Sequence, residues 1–125
     1  MINQSIPQNT KIAVVGSGYW GKNLVRNYHS LNVLGLVCDR NETVLQGFKK
    51  EYPGLQTCLA FSDVLSREDI QGVAIASPAE THYSLAREAL LAGKHVYVEK
   101  PLVLHEMEGE DLIEIADQRE LTLMV

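Results

Sequence analysis

At 125 residues, 46% of them hydrophobic and 22% charged, the chain has the length and composition of one globular domain with one core. A formal net charge of -5, with no basic run longer than a pair such as Lys49-Lys50, excludes a nucleic-acid surface, because phosphate binding needs clustered Lys and Arg. No apolar run approaches the roughly 20 residues that cross a bilayer, which argues against a membrane partner.

Residues 1–9 read as a polar, flexible tail without the apolar centre of a secretory signal. Ile12 to Val15 is a continuous apolar strand. Tyr19 to Leu31 has helical periodicity, with Trp20, Leu24, Tyr28 and Leu31 on one stripe. Val33 to Cys38 is a second apolar strand, closed by Asp39. Glu42 to Lys50 is a helix that turns Val44, Leu45 and Phe48 inward, and "YPG" breaks it. Gln56 to Cys58 is a short third strand. Ser62 is placed to cap a short helix, with Asp63 near the positive end of its dipole.

Val73 to Ala76 is a fourth strand. The helix after it runs to Ala92, with Leu85, Ala86, Ala89 and Leu90 inward and Gly93 as its left-handed terminator. His95 to Val98 is a fifth strand. Glu106 to Arg119 is a helix with Leu112, Ile113 and Ala116 inward, and Leu121 to Val125 is a sixth strand. Short apolar strands alternating with amphipathic helices predict an α/β fold over residues 10–125. The expected sheet is doubly wound, mostly parallel and of the Rossmann type, with order 3-2-1-4-5-6 and helices on both faces.

Gly16, Gly18 and Gly21 form G-x-G-x-x-G. The spacing alone is weak, but here it follows a strand and opens a helix, as dinucleotide binding requires. Gly16 permits the tight turn, Gly18 lets a pyrophosphate approach the backbone, and Gly21 lets helix and strand pack closely. The amide groups and dipole at the helix start favour an anion. Asp39 ends the second strand about 20 residues on, where an acid accepts hydrogen bonds from the adenosine ribose and repels a 2′-phosphate. That selects NAD. NADP is the alternative, since Arg40 is placed to neutralise a 2′-phosphate; Asp39 also reads as a helix cap.

Ser77-Pro78 follows the fourth strand and Glu99-Lys100-Pro101 the fifth, so both face the same crevice. By spacing alone Lys100 reads either as a solvated charge or as a site cation. Cys38 and Cys58 lack C-x-x-C spacing and read as buried free thiols, which fits a reducing cytoplasm. His29, His95 and His105 are scattered and form no metal-ligand pair with them, so no metal site is expected.

Together "GSGYWGKN" and "THYSLAREALLAGKHVYVEKPL" resemble the Gfo/Idh/MocA oxidoreductases, from about Lys11 to the last residue. The E-K-P after "AGKHV" is the most specific element. "SPAETHY", with Ala79 where many members carry Asn, is similar to the branch acting on nucleotide sugars, of the UDP-N-acetylglucosaminuronate 3-dehydrogenase type. The resemblance implies hydride transfer between a nicotinamide and a sugar hydroxyl or ketone. It sets Lys100 beside the reacting carbinol, where an ammonium stabilises charge on the substrate oxygen. It places Glu99 near the nicotinamide ribose, Pro101 in the turn that aims Lys100, and Ser77 and Pro78 along the nicotinamide half. It places His82 at a helix start near the cofactor rather than in acid–base catalysis, and adds Tyr19 and Trp20 to the cofactor contacts.

Family members continue into a second domain that binds the sugar and supplies acid–base groups, whereas this chain stops at "LTLMV". The expectation is a domain that binds the dinucleotide, turns over little alone, meets a sugar substrate only with a second domain, and is a monomer or weak homodimer. The competing readings are a non-catalytic NAD(H) sensor or regulatory module, a CoA- or nucleotide-binding domain that does not need Asp39, and a vestigial site.

Overall fold

Strands that are apolar without interruption must be covered on both sides, and the central strands of this sheet are used that way. The computed structural model describes residues 9–18 and 20–125. Its strands are β1 (Ile12–Val15), β2 (Leu34–Cys38), β3 (Thr57–Cys58), β4 (Gly72–Ile75), β5 (His95–Val98) and β6 (Leu123–Met124). They form one parallel sheet in the order β3-β2-β1-β4-β5-β6. The helices are α1 (Gly21–Ser30), α2 (Glu42–Glu51), α3 (Phe61–Ser66), α4 (His82–Leu91) and α5 (Glu106–Gln118), with a 3-10 turn at Ala79–Thr81 ahead of α4.

The strand pleat divides the core into two layers. Ala13 and Val15 of β1, Val73 and Ile75 of β4, and Val96 and Val98 of β5 pack against Val64 of α3, Ala86 and Leu90 of α4, and Leu112 and Ala116 of α5. Val14, Val37 and Ala74 point the other way, onto Val25 of α1 and Leu45 and Phe48 of α2. Each fully buried Val or Leu contributes about 1.5–3 kcal/mol. Because β1 pairs with both β2 and β4, the chain reverses its direction of travel across the sheet there. That opens a crevice at the carboxyl ends of these two strands.

Several sequence expectations shift. α1 begins at Gly21, so Trp20 stands at its N-cap and Leu31 beyond its last turn, and both are exposed. The inward position of α1 is Val25, flanked by half-buried Leu24 and Tyr28. Tyr19 lies outside the described residues. In α5 Leu112 and Ala116 face inward as expected, but the third inward position is Ile115, and Ile113 is 51% exposed. Ser62 falls inside the first turn of α3, whose cap position is Ala60 with no side-chain hydrogen bond, while Asp63 does sit in that turn. The cap of α2 is Asn41, whose Oδ1 accepts from the Thr43 and Val44 amides at 2.9 and 3.3 Å. Asp39 is therefore not the helix cap. Gly93 takes φ +82 just past α4, as a left-handed terminator should.

Candidate functional site

A cleft of about 850 Å³ lies along the carboxyl ends of the strands. The loop after β1, the end of β2, the segment Leu59–Phe61 after β3, the β4–α4 connection and the end of β5 all line it. It brings together Gly16, Gly18, Trp20, Asp39, Arg40, Ser77, Pro78, His82, Glu99 and Lys100, all of them expected from the sequence. Gly21 and Pro101 are not on its wall, and each supports it from behind.

The first wall is the glycine turn. Gly16 adopts φ +80, and a Cβ there would lie 2.6 Å from the Ser77 backbone nitrogen and 2.7 Å from its Cα. Only glycine satisfies both demands. A Cβ on Gly21 would run into the Gly16 carbonyl oxygen, while the nearest side-chain atom of the strand region, the Ala76 Cβ, is 3.6 Å away. The third glycine therefore serves the turn itself more than the helix–strand contact. Gly18 has nothing within 4 Å of a built Cβ, so its missing side chain leaves the space over the turn open. Among the described residues the N-cap position of α1 makes no side-chain capping hydrogen bond, and no acid occupies the first turn. A ten-residue helix thus presents the positive end of its dipole to the cleft with no acid in its own first turn.

The second wall is Asp39. Its Oδ2 accepts from the Ser17 amide at 2.9 Å and from the Ser17 hydroxyl at 2.7 Å, and its Oδ1 accepts from the Asn41 amide at 2.8 Å. Partial burial pushes the carboxyl up. The hydrogen bonds from Asn41 and Ser17 outweigh that and hold it below the usual carboxylate range. The acid is therefore ionised and fixed, with acceptor capacity left on Oδ1 for a ligand hydroxyl. Arg40, beside it, is exposed.

The third wall is polar and tied down. The Thr81 hydroxyl donates to the Pro78 carbonyl at 2.7 Å, so the Ser77 hydroxyl is the donor in the 2.7 Å contact between Ser77 Oγ and Thr81 Oγ1. His82 is buried, with Nδ1 2.7 Å from the Pro101 carbonyl oxygen and Nε2 2.8 Å from that of Ser77. Glu99 Oε1 accepts from the Tyr97 hydroxyl at 3.1 Å. Burial, reinforced by the Glu99 charge, pushes the Tyr28 phenol up; burial and the hydrogen bond to Glu99 do the same for Tyr97. Lys100 is exposed at the mouth and makes no hydrogen bond or ion pair among the described residues, and the Lys100–Pro101 peptide is cis.

Sequence reasoning missed Ser17, Thr81, Leu85 and the Leu59–Phe61 segment. The last had a signal, because it follows a strand and so lies at the ligand edge of a parallel sheet. Ser17 had none, since its partner is 22 residues away. Cys38 and Cys58 are register partners on β2 and β3. Both thiols are free; Cys38 is buried and Cys58 partly so.

Residues fit a dinucleotide: an uncapped helix start under an open glycine for the diphosphate, and a fixed carboxylate one strand over for a ribose. Residues 10–125 match the model of the GFO_IDH_MocA oxidoreductases, described as an oxidoreductase family with an NAD-binding Rossmann fold. An uncharacterized oxidoreductase of Synechocystis sp. is 32% identical over 119 residues, which cover 93% of this chain and 32% of that protein. UDP-N-acetylglucosamine 3-dehydrogenase of Acidithiobacillus ferrooxidans is 28% identical over 120 residues, 92% of this chain and 36% of that one. The crystal structure of GenD2 from gentamicin A biosynthesis, in complex with NAD, superposes with a TM-score of 0.87 at 27% identity, over 99% of this chain and 36% of that one. The chain thus spans about a third of the length of these proteins.

Proposed function

The chain belongs to the Gfo/Idh/MocA oxidoreductase family as its NAD-binding Rossmann domain, and from that premise we propose that it holds the cofactor for hydride transfer to or from a sugar, most specifically a nucleotide sugar. The observation that carries the reading is the succession along one cleft of an uncapped helix start, a fixed carboxylate and an exposed ammonium. In this reading the diphosphate rests over Gly18 against the start of α1, and Asp39 Oδ1 accepts from the adenosine ribose. The nicotinamide end lies along Ser77, Pro78 and Glu99. When bound, NAD supplies a hydride acceptor.

Every other task falls to the chain's own groups. Lys100 donates a hydrogen bond to the substrate oxygen and stabilises the negative charge that develops there. Asp39 opposes a 2′-phosphate, so NAD is preferred over NADP. The nucleotide-sugar assignment draws support from the relative named for a UDP-sugar. No helix among the described residues is long and apolar enough to cross a membrane, and the free thiols suit a reducing cytoplasm.

Calorimetric titration of the chain with NAD, NADH and NADP tests the core of the reading. Saturable binding of NAD(H), with NADP weaker, is expected. A chain that is folded by circular dichroism yet takes up no NAD(H) would refute it.

A further inference from the structure

His82 is 2% exposed, and both of its ring nitrogens face backbone carbonyl oxygens, at 2.7 Å and 2.8 Å. A neutral imidazole has one N–H donor and one bare lone pair, whereas a carbonyl oxygen only accepts. With a neutral ring, one of these contacts would set lone pair against lone pair at hydrogen-bond distance, with no water to intervene. Choosing the other tautomer only moves the conflict to the other nitrogen.

We propose that His82 is a doubly protonated imidazolium that donates from both nitrogens and straps the β4–α4 loop to the turn carrying Lys100. Burying a cation is costly, and two charge-assisted hydrogen bonds offset that cost. Neither ion pair among the described residues involves His82, so the carbonyl dipoles are its stabilising partners there.

The strap completes a mechanical link. Gly16 lies against the Ser77 backbone, the Ser77 carbonyl accepts from His82, and His82 donates to Pro101, the neighbour of Lys100. The turn proposed to carry the diphosphate is thereby tied to the lysine proposed to meet the substrate. His82 is a positioning residue, because both nitrogens are consumed inside the protein and neither is left to shuttle a proton. This functional consequence rests on the proposed dinucleotide site; the protonation state does not.

The test uses the chain with ¹⁵N-labelled histidine at neutral pH and no ligand. His82→Gln identifies the His82 resonances among the four histidines. Nitrogen-15 shifts and one-bond N–H couplings are expected to show a proton on both His82 nitrogens. His95 is the internal contrast, because its Nδ1 accepts from the Thr122 amide and is therefore unprotonated. A bare-nitrogen shift at either His82 position overturns the proposal. The strap is then read by titration: His82→Leu is expected to bind NAD about tenfold more weakly, and unchanged affinity in folded His82→Leu overturns the positioning role. If that variant does not fold, His82→Gln, which keeps one donor, is expected to lose several-fold, and unchanged affinity there counts equally against it. Wild type that shows two protonated nitrogens yet binds no NAD removes the dinucleotide reading and leaves the imidazolium standing.

Discussion

The Ser17 hydroxyl and the Ser17 amide both donate to a single oxygen of Asp39, at 2.7 and 2.9 Å, across 22 residues of sequence. The glycine turn and the acid at the end of β2 are therefore one unit, and the carboxylate cannot swing aside without breaking both bonds. Ser17→Ala removes one of them and leaves the chain otherwise intact. NAD binding is expected to weaken several-fold and the preference over NADP to narrow, as read by calorimetry with both dinucleotides. Asp39→Ala should be more severe, about tenfold or more, because it also strands two donors of a buried serine. An Asp39→Ala chain with wild-type affinity for NAD would favour the CoA- or nucleotide-binding alternative.

The same bonds give a pH dependence of stability. The folded-state pKa of Asp39 lies below its unfolded value. The contribution is therefore fully present above the unfolded pKa and is lost as pH falls through the folded one. Thermal unfolding followed from neutral pH down through the ordinary carboxylate range should show wild type losing stability that Asp39→Asn has already lost at neutral pH. Parallel curves for the two proteins would mean that the Ser17 and Asn41 hydrogen bonds do not favour the ionised acid in solution.

Two glycines of one motif should behave oppositely. Gly16→Ala forces a side chain onto the Ser77 backbone and a left-handed φ onto alanine, so it is expected to cost more than about 1–3 kcal/mol in denaturant unfolding. Gly18→Ala meets nothing within 4 Å, so stability should change by no more than about 0.5 kcal/mol. Its methyl group would nevertheless occupy the space proposed for the diphosphate, and NAD binding should fall at least tenfold. Normal NAD binding by Gly18→Ala would place the diphosphate elsewhere.

What the sequence disclosed, and what it hid, follows from the range of the forces involved. Strand β1 was legible because burial on both faces demands an unbroken apolar run, and Ile12–Val15 has one. The glycine turn was legible because its demands are local: φ +80 at Gly16, and a third glycine two residues before Asn23 that meets the first. Helix phase was less legible. Ile113 and Ile115 are chemically alike, and only the position of the sheet decides which one is covered. Asp39 was the capping candidate in the sequence; the bonds from Ser17 drew it into the turn, and Asn41 took the cap. The His82 contacts were hidden altogether, because backbone carbonyl acceptors leave no trace in residue identity.

Lys94, at the amino end of β5 and so at the opposite end of the strands from the cleft, makes a last test of how the frame is held. It is 6% exposed, and its Nζ donates to the carbonyl oxygens of Arg67 at 2.6 Å and Ile70 at 2.8 Å, closing the chain between α3 and β4 onto the start of β5. Burial holds its ammonium below the usual lysine range, with Asp69 and Glu68 pulling the other way. Its folded pKa therefore lies below its unfolded one, and its unfavourable contribution fades as pH rises through the folded value. Lys94→Met keeps the aliphatic stem and leaves two carbonyls unpaired, so a loss of about 1–3 kcal/mol is expected in denaturant unfolding at neutral pH. NAD affinity should be unaffected, since Lys94 is absent from the cleft lining. The gap between variant and wild type should widen toward alkaline pH, where the wild-type lysine sheds its desolvation penalty. A gap that closes there would show that the ammonium charge, rather than the two hydrogen bonds, anchors this corner.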